Sequence, residues 1–168
     1  LQSWHNSKLS PFRHKGKFGY VNIKTGDVAI EARYNQAGPF FDSLAVVKEE
    51  DKFGVIKPDG SIHAPFNYNN IVGFAPGMNV CEAIKNDDTY LMRRKDGSAV
   101  AYDYGSFAGN GFMIKKDDEY AFFNKQGFPV TGYAFEDYYA TDHGFVIVEN
   151  EKGYNFIDEE GKFLSGDF

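Results

Sequence analysis

The chain has 168 residues, 42% hydrophobic and 25% charged, with a formal net charge of −6. That length holds one well-packed domain and hardly two; the charge argues against non-specific nucleic-acid binding, which needs a surplus of Lys and Arg, and no apolar run approaches the roughly 18 residues of a spanning helix. Aromatics at 17%, with 17 Phe and 11 Tyr against one Trp, favour β-structure, where flat rings pair across strands.

The opening stretch, LQSWHNSKLSPFRH (1–14), lacks the apolar core of a signal peptide. A start at Leu and not Met leads us to expect a processed or truncated N-terminus. Five similar units follow. Residues 11–34 read as a stub strand, a second strand anchored on Phe18, a turn at Gly26 and a third strand, DVAIEARY. Residues 44–68 give LAVV, the anchor Phe53, Gly60 and SIHAPFNY; residues 80–104 give VCEAI, Tyr90, Gly97 and SAVAYDY. Residues 111–135 give GFMI, Tyr120, Gly127 and FPVTGYAF, and residues 145–165 give FVIV, Tyr154, Gly161 and the start of KFLSGDF. The anchors are spaced by 35, 37, 30 and 34 residues, and Phe12, Val47, Ile84, Ile114 and Val148 stand six positions before them. Self-similarity at such a period marks stacked repeats.

Each strand has its own physical case. The first strands are continuous apolar runs, which predicts burial on both faces. In the second strands the anchor and the residue two later are both large and apolar: Phe18/Tyr20, Phe53/Val55, Tyr90/Met92, Tyr120/Phe122 and Tyr154/Phe156. A spacing of two puts both on one face. The glycine that follows supplies the positive φ of a short hairpin loop. Connectors of 8–13 residues, such as NQAGPFFDS (35–43) and NNIVGFAPGMN (69–79), read as loops whose Phe40, Phe41 and Phe74 tuck beneath the next sheet.

The stretch GKFGYVNIKTGDVAIEARYNQAGPFFDSLAVVKEEDKFGVI (16–56) resembles the WG repeat, also called the KWG repeat, of bacterial proteins, and the resemblance extends over about residues 12–165. The family's tryptophan is replaced by Phe or Tyr throughout, and its following glycine stands only at Gly19 and Gly54, giving way to Leu91, Ala121 and Asn155. The resemblance implies an all-β fold and supplies no catalytic residues.

Chemistry-bearing residues are sparse in pattern. Cys81 is the lone cysteine, so no intrachain disulfide framework exists, and its place inside a first strand makes it a small core hydrophobe. His5, His14, His63 and His143 stand in no ligand spacing. The Asp59-Gly60 and Asp96-Gly97 turns lack the alternating ligands of a calcium loop. Carboxylate pairs such as Asp117/Asp118 and Glu159/Glu160 are too common to mark a hydrolase. No catalytic, cofactor or metal site is expected. One distribution stands out: the loops between first and second strands carry Glu49, Glu50, Asp51, Asp87, Asp88, Asp117, Asp118, Glu119, Glu149 and Glu151, ten of the 24 carboxylates. The first copy inverts the sign with Arg13, His14, Lys15 and Lys17. In stacked repeats these positions would line one rim, either as solubilising charge or as a surface that captures a basic protein.

The expected fold is all-β: one domain over residues 1–168, made of five tandem three-stranded antiparallel meanders stacked as a curved open array, with a small five-bladed propeller as the alternative. The expected function is non-enzymatic binding of a protein partner of basic character, without nucleic acid or membrane insertion. Two alternatives remain: an immunity protein neutralising a basic toxin such as a nuclease, and a glycan-binding or glycan-active protein stacking sugars on Tyr138 and Tyr139. Oligomeric state is open, and so is location, cytoplasmic or extracytoplasmic.

Overall fold

The computed structural model describes residues 8–74, 77–141, 144–158 and 160–164, and among these the chain is all β. The chain forms two compact units, Leu1–Ala99 and Val100–Phe168.

In the first unit β1 (Leu9–His14), β2 (Lys17–Asn22) and β3 (Val28–Tyr34) form a meander. A second sheet runs in the order β4 (Gln36–Ala37), β5 (Ala45–Glu49), β6 (Lys52–Ile56) and β7 (Ile62–Tyr68). A third is built from β8 (Asn70–Ile71), β9 (Val80–Lys85), β10 (Asp88–Arg93) and β11 (Ala99–Tyr102), whose first residue closes the unit. In the second unit β12 (Tyr104–Ala108), β13 (Gly111–Lys116) and β14 (Glu119–Asn124) make one sheet. The other is β15 (Asp137–Ala140), β16 (Val146–Asn150) and β17 (Gly153–Ile157). Among the described residues the sheets are antiparallel and none closes into a barrel, consistent with a meander-repeat array.

Two features differ from the sequence reading. The connectors are not only loops: four of them supply a leading strand, β4, β8, β12 and β15, which pairs with the first strand of the repeat that follows. The third strands of the fourth and fifth repeats shrink to isolated bridges, Tyr120 to Phe135, Phe123 to Pro129 and Ile157 to Phe163. Pro129 lacks an N–H for a ladder and Gly132 weakens an extended run, so FPVTGYAF makes two bridges where DVAIEARY makes a strand.

The core lies between consecutive sheets of each unit. Tyr20, Ile30 and Tyr34 of the first sheet meet Ala45, Val47 and Ile56 of the second. On the other face of the second sheet, Val55, Ala64 and Tyr68 meet Cys81, Ala83 and Met92 of the third. In the second unit Met113 and Phe122 meet Val146, Val148 and Ile157. Phe18, Phe53 and Tyr120 therefore belong to faces that pack on the next sheet, as the spacing of two requires.

Tyr90 and Tyr154 break that equivalence. In the third repeat the hairpin tip is Asn86–Asp87, with Lys85 opposite Asp88, whereas in the fourth it is Asp117–Asp118, with Lys116 opposite Glu119. Measured from the anchor, the third tip lies one residue earlier. Asn86 and Asp87 hold φ of 50° and 70°, a conformation that asparagine tolerates well, whereas the residue at that distance in the fourth repeat is Lys116. A one-residue displacement turns every side chain over, so Tyr90 and Met92 face the preceding sheet. Tyr154 keeps the expected register but is exposed together with Phe156, because among the described residues no sheet covers that face.

Candidate functional site

The ten carboxylates singled out by sequence do sit at the β5–β6, β9–β10, β13–β14 and β16–β17 hairpins, eight of them exposed and Glu49 and Glu149 half-buried. The structure also shows how each tip is held. Asn35 Oδ1 accepts the Glu50 N–H at 2.9 Å, Asn69 Oδ1 accepts the Asn86 N–H at 3.0 Å, and Asp103 Oδ2 accepts the Asp117 N–H at 3.0 Å. These Asx residues stand 34 apart, each just before a leading strand, and the sequence reading missed them. The signal was available, since RYNQ, NYNN and AYDY share one spacing and set a Tyr before each Asx.

Lysines temper the acidity. Lys48 and Lys52 flank three carboxylates in the second repeat, and Lys115 and Lys116 flank three in the fourth, leaving each hairpin at −1. The cation opposite the anchor lies over its ring: Arg13 on Phe18 at 5.8 Å, Lys48 on Phe53 at 5.4 Å and Lys115 on Tyr120 at 5.5 Å. Lys115 Nζ is 3.1 Å from Asp118, whose hydrogen bond holds the ammonium above its ordinary pKa, and Arg33 reaches Glu49 at 4.0 Å. In the fifth repeat the cation is replaced by Glu149, which accepts the Tyr154 hydroxyl and raises its pKa. Among the described residues the remaining tip carboxylates, Glu50, Asp51, Asp87, Asp88, Asp117, Glu119 and Glu151, make no ion pair within 4 Å.

A second feature of the first unit was not foreseen. The connectors of the second and third repeats wall an apolar cleft of about 340 Å³, lined by Pro39, Phe41, Val46, Val55, Val72 and Phe74 among others. Phe40 and Phe74 are buried as expected, while Phe41 is half-buried at the cleft wall and Val72 is 68% exposed. Arg94 fastens this corner: its guanidinium lies 4.9 Å from the Phe74 ring, donates from Nε to the Met78 carbonyl at 2.7 Å and pairs with Asp42 at 3.4 Å. The cleft lies at the start of β5 and the acidic tip at its end, roughly 15 Å away by strand rise.

The other candidates fall out as follows. Cys81 is buried in β9, and desolvation pushes its thiol up to about 12, far from a thiolate at neutral pH. Asp59 accepts the Ser61 N–H and hydroxyl, Asp96 those of Ser98, and these bonds lower both pKa values, so both side chains serve their turns. His63 hydrogen-bonds the Arg94 carbonyl through Nε2 at 2.9 Å, and burial lowers its pKa. His5, His143 and Glu159 lie outside the described residues, and among those described no group of three His, Cys, Asp or Glu is placed to hold a metal ion. Tyr138 and Tyr139 do not form one platform: Tyr138 is packed edge-on to Tyr120 and bonded to Ser106, while Tyr139 points the other way and is exposed.

Residues 18–53 match the family model of the WG containing repeat. No curated protein matches the sequence. Among solved structures, a crystal structure of the computationally designed Ika8 protein is similar at 15% identity and a TM-score of 0.39, over 93% of this chain and 57% of that one. The chain thus spans little more than half the length of that protein.

Proposed function

We propose that this chain, which carries a WG repeat, is a non-enzymatic protein-binding module that takes a basic partner on its hairpin tips. The observation that carries the reading is the set of exposed tip carboxylates, Glu50, Asp51, Asp87, Asp88, Asp117, Glu119 and Glu151, which make no ion pair among the described residues and recur at one hairpin of each repeat from the second to the fifth. Charges left uncompensated contribute little to folding, and they are available to steer an oppositely charged protein. A buried, high-pKa thiol and turn-bound aspartates supply no poised nucleophile or base beside them.

Affinity capture from the source cell identifies the partner, and its association rate with the wild type and with Asp51→Lys/Asp88→Lys/Glu119→Lys tests the surface. Each reversal adds two charges, so the three carry the formal net charge from −6 to zero. The variant should fold normally and associate more slowly, with the difference shrinking as salt shortens the Debye length from about 10 Å at 0.1 M. An on-rate unchanged at low salt removes the tips as the binding surface, and the cleft beside Phe41 and Val72 becomes the place to test. A nuclease captured one-to-one and inhibited would specify the immunity reading within this one.

A further inference from the structure

The first sheet is laid on the second, and the fourth on the fifth, in the same sense. The anchor face of one covers the opposite face of its successor, as Tyr20 does with Val47 and Ile56, and Phe122 with Val148 and Ile157. Two faces, one in each unit, show exposed apolar side chains with no sheet laid on them among the described residues. One is the anchor face of the fifth sheet. Its register brings Tyr139, Ile147 and Phe156 into one row and Asp137, Glu149 and Tyr154 into the next, toward the hairpin tip. Tyr139 is 70% exposed, Tyr154 68% and Phe156 44%. The other is the outer face of the first sheet, where Ser10, Val21 and Val28 form one row, Phe12 stands across from Gly19, and His14 across from Lys17 at the tip. Val28 is exposed, and Phe12 and Val21 are half-buried. Each face therefore has an apolar floor and a charged hairpin edge, and the edges have opposite sign.

We propose that these two faces bind each other between copies of the chain, the first sheet of one molecule seating on the fifth sheet of another. Laid hairpin over hairpin, as the sheets inside each unit are, the apolar rows meet and Lys15 and Lys17 come to Glu149 and Glu151. The sign of the tips selects this pairing. Two fifth sheets would oppose carboxylates and two first sheets would oppose cations, so only the head-to-tail contact is attractive at its edge. Such a contact is heterologous, and copies add in series or close a ring.

Sedimentation velocity of the 168-residue chain over a micromolar concentration series reads the association. The wild type should show species larger than the monomer as concentration rises. Glu149→Lys/Glu151→Lys and Lys15→Glu/Lys17→Glu should each weaken association about tenfold, with circular dichroism confirming that both fold. Mixed one to one, the two variants should associate again, because each contact between one variant and the other joins opposite signs. A wild type that stays monomeric throughout overturns the proposal, as does a mixture no stronger than its components. A symmetric dimer overturns it too, recognised by a response to reversal at one face only. None of the tip residues in the partner-binding test is altered, so the two readings fail separately.

Discussion

Gly97 and Gly26 occupy the same turn of their repeats with φ of 71° and 80°, yet they meet different surroundings. A Cβ on Gly97 would lie 2.2 Å from the His63 carbonyl oxygen, whereas one on Gly26 would have nothing within 4 Å. Gly26→Ala therefore carries only the left-handed penalty, about 1–2 kcal/mol. Gly97→Ala must also displace β7 backbone and should cost roughly twice as much; equal losses in urea denaturation would mean that β7 yields freely. His63, beside it, gives a pH signature. Its folded pKa lies below the ordinary value near 6.5, so the unfolded chain takes up the proton first. Stability is indifferent to this group above about pH 6.5 and falls as pH drops below it. His63→Gln should flatten that decline, and a denaturation series from neutral to mildly acidic pH checks it. The positive φ of both glycines was legible from sequence, because a turn glycine needs only local chemistry. The contact that separates them was not, since it depends on which backbone of the preceding repeat lies above each turn.

At the scale of the hairpin, the Asx latch is the feature most open to test. Asn35, Asn69 and Asp103 each satisfy one tip N–H. Alanine at any one removes a hydrogen bond from a partly solvated group and should cost about 1 kcal/mol, whereas Asp103→Asn should be close to neutral. A loss at only one of the three would show that the latch is not a common device. The same elements mark the limit of sequence reading. Second strands such as KFGYVN and EYAFFN were legible because an anchor and an apolar residue two positions on declare one face. The leading strands were not, since Gln36–Ala37 and Asn70–Ile71 are two residues long and carry no periodicity at all. Nor was the displaced tip of the third repeat, where Asn86, Asp87 and Asp88 offer two turn positions of similar merit and backbone preference at Asn86 decides between them.

For the whole molecule, stacking predicts where the structure opens first. The second sheet has a core on each face, Val47 and Ile56 on one and Val55 on the other. The fifth sheet has Val146, Val148 and Ile157 on one face, while Tyr154 and Phe156 on the other are exposed. In repeat proteins stability is a sum of intrinsic and nearest-neighbour contributions, so a sheet with one neighbour opens more readily than a sheet with two. In dilute solution the amides of β17 should exchange about tenfold faster than those of β6, or more. Raising the concentration should slow β17 and leave β6 unchanged if a second copy's first sheet seats on the Tyr139, Ile147 and Phe156 row. Protection of β17 equal to that of β6 in dilute solution would mean that one covered face suffices to hold the fifth sheet, and the apolar face it exposes would then owe nothing to stability.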